Sequence, residues 1–293
     1  MNDPRIAFIG GSGLYQMEGL TDVDRIDVET PFGNPSDRIV LGTVEGARVA
    51  FLPRHGVGHR FSPTLVPNRA NVYALKSLGV ERIVSISAVG SLQESVRPLD
   101  MVVPDQLIDR TRSRVSTFFD DGIVAHVGFA DPYCPVLSDV LTETASTTST
   151  VHSGGAYVVI EGPQFSTRAE SEIYRSWGAS VIGMTALPEA KLAREAEMCY
   201  ATLALVTDYD TWHDAEADVS VEVVVASLKK NVAHAQQVLR ALVSKVLPQR
   251  ACDCASALKN AIITDEEHIS AAARDRMSLI VGRYVRVPER SHP

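Results

Sequence analysis

Nowhere does this chain run apolar and uncharged for the roughly 20 residues that a bilayer-spanning helix requires, and its first residues reach Ile6, Ala7, Phe8 and Ile9 without the apolar segment of a secretory leader. No membrane helix and a cytoplasmic location are therefore expected. Positive charge is also in short supply. Lys and Arg number 28 against 36 Asp and Glu, a formal net charge of −8, which argues against a nucleic-acid surface and leaves room only for a local basic pocket that holds a phosphate. Cysteine is limited to four residues in 293, two of them in the Cys252 and Cys254 pair, and that is no framework for a disulfide-stapled secreted scaffold. The glycine signatures are incomplete. Gly10, Gly11, Ser12 and Gly13 are followed by Leu14, Tyr15 and Gln16, so the third glycine of a dinucleotide fingerprint is missing, and no Gly-Lys-Ser or Gly-Lys-Thr follows to make a P-loop. No internal repeat or low-complexity linker divides the chain.

What is present is a large apolar fraction, 45%, arranged as an α/β pattern whose strands end in polar residues. The stretch around which the rest is organised runs from 181 to 212. Strand-like Ala179 to Ile182 breaks at Gly183; Pro188 and Glu189 suit the first turn of a helix carrying Ala190, Ala193 and Ala196 on one face; and Cys199 to Thr207 then forms a second strand. This reads as a β-α-β unit with parallel strands. Its strand ends deliver Met184 and Thr185 from the first strand and Asp208 and Asp210 from the second to the same edge of the sheet, where they are expected to converge, and ligands of open α/β sheets bind outside the carboxyl ends of strands.

The same design recurs elsewhere. The strand Arg5 to Ile9 leads into the glycine turn, and Ala47 to Leu52 leads into Arg54 and His55, read as cationic donors for an oxyanion or else as a solvated loop. A helix entered at Pro67 and closed at Gly79 precedes the strand Arg82 to Ser87, which ends in Ala88, Val89 and Gly90. Residues 112 to 135 form a long excursion containing His126, and a loop of that length in a compact domain is usually functional. Gly155 to Ile160 delivers Glu161, Gly162 and Pro163, with a helix starting at Arg168. A helix is expected from Val219 to Val246, and a capped one from Asp265 to Tyr284.

Six motifs stand in this order: Gly10 to Gly13; Pro53 to Gly56 with His59; Ser87 to Leu92; Glu161 to Ser166; Gly183 to Thr185; and Thr207 to Asp210. Together they resemble the trimeric purine nucleoside phosphorylases, and within them the methylthioadenosine phosphorylase branch, over about residues 5 to 245. The resemblance implies a single α/β domain with a central mixed β-sheet flanked by helices, a catalytic domain over residues 1–250, and a C-terminal extension over 251–293 packed on it. It implies phosphate binding by Ser12, Arg54, His55, Ser87, Ala88 and Thr185. Met184 would pack under the ribose, with His59 near sugar and phosphate, and Phe165 and Ser166 would line the purine pocket. His126 would reach the neighbouring subunit's 5′-alkylthio pocket, whose apolar side is Val221 and Val225, so each site of a homotrimer or hexamer would need two chains.

The resemblance also implies no cofactor and no metal at the site, with inorganic phosphate as co-substrate. Ser12 and Ser87 stand where many relatives have threonine, which keeps the hydroxyl and loses a methyl contact. Cys252 and Cys254 resemble a C-terminal pair that forms a disulfide in some microbial members; otherwise they read as reduced thiols, or as metal ligands.

The implied reaction is phosphorolysis of 5′-methylthioadenosine to adenine and 5-methylthioribose 1-phosphate. Breaking the N-glycosidic bond pushes electrons onto the purine, so a carboxyl group near N7, Asp208, assists departure by supplying a proton. Asp210 would accept from the exocyclic amine. Two carboxylates repel the acceptor that a 6-oxopurine presents there, so the pair points to a 6-aminopurine. The alternatives are a phosphorylase of broader purine specificity, taking adenosine, inosine, guanosine or methylthioinosine, and a non-catalytic nucleoside sensor.

Overall fold

The structure is a computed structural model, and it describes residues 3–11, 13–14, 17–213, 220–246 and 249–285. In chain order the strands are β1 Ile6–Gly10, β2 Thr21–Ile26, β3 Ile39–Val44, β4 Ala47–Pro53, β5 Arg82–Ser91, β6 Met101–Val103, β7 Gln106–Arg110, β8 Val151–Ser153, β9 Ala156–Ile160, β10 Val181–Gly183 and β11 Cys199–Asp208. The helices are α1 Asn68–Ser77, α2 Pro135–Ala145, α3 Arg168–Ser176, α4 Ala186–Glu195, α5 Val221–Lys245 and α6 Ala271–Val281. Together they form one α/β domain with a mixed sheet.

All eleven strands belong to that sheet, whose path runs β2-β3-β4-β1-β5-β10-β9-β7, with β11 also paired to β5 and β6, and β6 to β8. Strand period explains why both faces are dry. Ala7 and Ile9 of β1 enter one apolar cluster with Val72, Leu75, Ala190 and Ala193, while Ile6 and Phe8 enter another with Leu137, Leu141, Val238 and Leu242. So α1 and α4 cover one face, and α2 and α5 the other.

The long strand β5 is the hinge of the architecture. Its first half, Arg82 to Ser85, lies between β1 and β11, both parallel to it, and its end at Gly90 and Ser91 pairs with β10 running antiparallel. The expectation of a parallel β-α-β unit is corrected here: β10 and β11 flank β5 with opposite polarity. A strand of three residues carries too few ladder bonds to set its own direction, and β10 takes the edge that β5 leaves open after β1 has ended. Convergence survives because Ile182 and Asp208 both register with Gly90.

The helix expected at Pro188 is present. Leu187 is extended (φ −114°, ψ 139°), so regular helix begins at Pro188, and Ala190, Ala193 and Ala196 are fully buried. Helix α3 starts on a capping box in which Thr167 and Glu170 satisfy each other's backbone N–H. The last helix is shorter than expected, opening at the Ser270 cap rather than near Asp265. Residues 249–285 lie against the rest: Leu258 donates its N–H to Glu197, and Ile262 bridges to Ala125 in the long excursion.

Candidate active site

At the exit of β4 the backbone N–H of Arg54 donates to the Gly10 carbonyl at 2.9 Å, which puts the ends of β1 and β4 side by side. Arg54 is 4% exposed, so the solvated-loop alternative fails for it. Its Nε donates to Glu189 Oε1 at 2.5 Å, one Nη to the Ile86 carbonyl at 2.9 Å and the other to Ser85 Oγ at 2.7 Å. A guanidinium in the interior needs a counter-ion, and Glu189 in the first turn of α4 supplies it.

Beside it, His55 is not the cation that the sequence suggested. Burial, followed by the charge of Arg54, pushes its pKa down to about 4. Its Nδ1 lies 2.8 Å from the Phe61 carbonyl, which can only accept, so in the neutral ring Nδ1 carries the hydrogen and Nε2 is an acceptor. The ring stacks on His59 with centroids 4.3 Å apart, and His59 itself is exposed at φ +56°.

Across from these, Ser87 Oγ of β5 and Thr185 Oγ1 stand 2.7 Å apart, with Ala88 next in the strand. Thr185 lies three residues before regular helix begins at Pro188, so it offers its hydroxyl from the turn between β10 and α4. A narrow cleft, open to solvent, is lined by Arg54, His55, Asn68, Arg114, Met184 and Thr185 among others. Ser12 lies outside the described residues.

Met184 is held over this cleft by two features. A Cβ on Gly162, at φ +67°, would come within 2.4 Å of the Met184 sulfur, so the thioether rests directly on that glycine. The Met184 carbonyl accepts from Arg114. Arg114 was not foreseen, and its guanidinium is almost fully buried. It donates to the carbonyls of Ile160, Glu161, Met184 and Leu187 and to the Glu161 carboxylate, so it clamps the exit of β9 to the exit of β10. Partial burial works against the charge on Glu161, but hydrogen bonds from Thr64 and the backbone of Arg112 and Ser113, with the charge of Arg114, hold its pKa at about 2.

The two aspartates close the other end. A register shift between Val206 and Asp208 interrupts the ladder with β5, and such a bulge re-aims the side chains that follow it. Asp208 and Asp210 are 5% and 6% exposed. Asp208 Oδ2 accepts from Thr207 Oγ1 at 2.6 Å, and Oδ1 from the Asp210 N–H at 2.8 Å. Asp210 sits at φ +54°, and its Oδ2 has no hydrogen-bond partner among the described residues. Burial raises both carboxyl pKa values. For Asp210 burial is reinforced by the nearby Asp208 charge, opposed by the Ser171 and Ser166 hydroxyls, and the result is about 6. Gly90 is the third member of this cluster, since a Cβ there would stand 2.9 Å from Asp208 Oδ1 and 3.2 Å from Asp210 Cβ. Ser166 is buried and Phe165 is 39% exposed on the loop after β9.

His126, Val221 and Val225 are not among the residues lining the cleft. All three are exposed, Val221 at 64% and Val225 at 42%. The His126 backbone is fixed by its N–H bond to the Ala261 carbonyl, which ties the long excursion to the C-terminal segment.

The family model of the phosphorylase superfamily matches residues 5–244. An S-methyl-5′-thioadenosine phosphorylase of Geobacter sulfurreducens is 57% identical over 282 residues, covering 96% of this chain and 99% of the relative. Among solved structures, a methylthioadenosine phosphorylase from an antarctic soil metagenomic library superposes with a TM-score of 0.91 at 54% identity, covering 96% of this chain and 99% of that one. The methylthioadenosine phosphorylase of Schistosoma mansoni, solved in complex with adenine, superposes with a TM-score of 0.80 at 34% identity over 95% of this chain and 98% of that one. The chain belongs to the phosphorylase superfamily, in its S-methyl-5′-thioadenosine phosphorylase family.

Proposed function

We propose that the chain catalyses phosphorolysis of S-methyl-5′-thioadenosine to adenine and 5-methylthioribose 1-phosphate, and that Asp208 and Asp210 hold the base. The observation that carries this reading is the buried carboxylate pair with an unpartnered oxygen on Asp210. A buried carboxylate oxygen requires a donor. The exocyclic amine of adenine is one, and the carbonyl of a 6-oxopurine is not. The adenine complex of the Schistosoma relative and its complex with tubercidin, an adenosine analogue, support a 6-aminopurine.

Phosphate would lie against Arg54 and the Ser87 and Thr185 hydroxyls, with no metal or cofactor required. Because Glu189 neutralises Arg54, the site attracts the dianion through hydrogen bonds more than through net charge. Neutral His55 suits this arrangement, as its Nε2 can accept from the one P–OH of hydrogen phosphate. The sugar then passes through an oxocarbenium-like state between Met184 and the phosphate, and Asp208, whose pKa burial raises, supplies the proton that the departing N7 takes up. Arg114 positions both halves of the site by tying the exit of β9 to the exit of β10.

Exposed His126, Val221 and Val225 fit a 5′-alkylthio pocket completed by a neighbouring chain of a trimer or hexamer. The test of the whole reading is adenine release from S-methyl-5′-thioadenosine with and without phosphate, with inosine alongside. Release that needs phosphate, with little from inosine, is the expected result. Release without phosphate would make it a hydrolase, preference for inosine would overturn the roles of the two aspartates, and tight binding without release would leave a sensor.

A further inference from the structure

The four cysteines of the chain, dispersed at positions 134, 199, 252 and 254, meet at one point. The sulfurs of Cys134, Cys199, Cys252 and Cys254 all lie within 4.8 Å of one another, and those of Cys199 and Cys252 are 3.4 Å apart. Three of the four residues are buried, and all four are free thiols. Packing alone gives no reason to gather every thiol of a 293-residue chain into one contact.

We propose that these four side chains bind one zinc ion as a structural site that fastens the C-terminal segment to the sheet. Four thiolates around Zn²⁺ at about 2.3 Å stand about 3.8 Å apart at tetrahedral geometry, which is the spacing the sulfurs already approach. They are too close for an iron–sulfur cluster, in which several irons and sulfides lie between the cysteine sulfurs. Binding breaks four S–H bonds and forms four Zn–S bonds, releasing up to four protons to solvent and leaving a net charge of −2.

The surroundings suit that charge. Arg82, Lys245 and Arg250 line, with Cys134, Cys199 and Cys252, a cleft that is open to solvent and would serve as the entry path. Cys134 is also the N-cap of α2, where the helix dipole favours a thiolate, and its backbone N–H is anchored to the Tyr200 carbonyl of β11 at 2.8 Å.

This site is separate from the chemistry. Cys199 opens β11 and Asp208 ends it, nine residues on, which in a strand is about 30 Å. The ion would therefore act on stability, holding together α2, β11 and the turn at Asp253–Ser256, which come from three distant parts of the sequence.

The test uses the intact protein as purified under reducing conditions from zinc-replete cells. Elemental analysis is expected to find one zinc per chain. Reconstitution with cobalt is expected to show the near-ultraviolet thiolate-to-cobalt charge-transfer band and the visible bands of a tetrahedral four-sulfur site. Stripping the metal with a mercurial followed by a thiol should lower Tm by more than about 5 °C, reversed by zinc and not by magnesium, while turnover at ordinary temperature stays the same. Cys252→Ser should lose most of the zinc. Protein that binds neither zinc nor cobalt, whether its sulfurs then titrate as four free thiols or prove to be paired in disulfides, overturns the proposal.

Discussion

Replacing Asp210 by Asn separates what this residue costs the fold from what it gives the reaction. The carboxyl is 6% exposed, and burial with the Asp208 charge lifts its pKa from 3.8 to about 6. The folded state thus holds the proton more tightly than the unfolded chain does. Stability is full below about pH 4 and is lost as pH rises through 4 to 6, and above that the ionised group destabilises the fold by about 3 kcal/mol, two pK units at 1.36 kcal/mol each. An amide has the same shape and no charge, and asparagine tolerates the positive φ of 54° found here. Asp210→Asn should therefore melt higher than the parent at pH 7.5, by roughly 5 to 10 °C, with the difference vanishing near pH 4.

The same variant should be a poor enzyme. It loses a charged acceptor for the exocyclic amine, and about 1.5–3 kcal/mol for such a bond means a fall in kcat/KM for S-methyl-5′-thioadenosine of roughly 10- to 100-fold. Thermal melts from pH 4 to 8 and initial rates at saturating phosphate decide the matter. Equal melting temperatures at pH 7.5, or a stability gain that does not shrink on acidification, would refute the desolvation argument. Unchanged kcat/KM would remove Asp210 from base recognition.

Three further outcomes are expected. Asp208→Asn should lower turnover of 6-aminopurine nucleosides and raise the relative rate on inosine, and an unchanged ratio of the two rates would show that Asp208 does not select the base. Gly90→Ala puts a methyl group against both aspartates and should cut kcat/KM by about tenfold or more, since overpacking of about 1–3 kcal/mol falls on the carboxylates themselves; full activity would mean that the pair can move without penalty. His126→Ala should raise KM for the 5′-methylthio substrate by roughly fivefold, the equivalent of about 1 kcal/mol, and leave KM for phosphate alone. Equal effects on both would end its assignment to the 5′ pocket.

How much of the site could be read along the chain follows from how each part is encoded. Strand-end motifs such as Met184 with Thr185, and Asp208 with Asp210, are local. A strand stops, a polar residue follows, and the sheet does the rest. Helix α4 announces itself through Pro188, and α1 through Pro67 and Gly79, because capping is decided within a few residues. Arg114 is invisible by that route. Its five hydrogen bonds reach residues 46 to 73 positions away, inside an excursion without helix or strand of its own. Glu189 reads simply as a first-turn acid, and only a contact across 135 residues makes it the counter-ion that Arg54 requires. The neutral state of His55 has the same origin, since burial and the adjoining guanidinium, not residue type, set its charge.

Taken by itself, the sequence determined the α/β class, the sheet-lining runs, the helix starts and the residue types that gather at strand ends, because alternation, capping and turn chemistry act over a few residues and need no partner. Tertiary structure alone decided that β10 runs against β5, that the two aspartates share one buried pocket against Gly90, and that Cys134 and Cys199 join Cys252 and Cys254. These are pairings between segments far apart in the chain, and their energies come from desolvation and packing, which exist only once the chain has closed on itself.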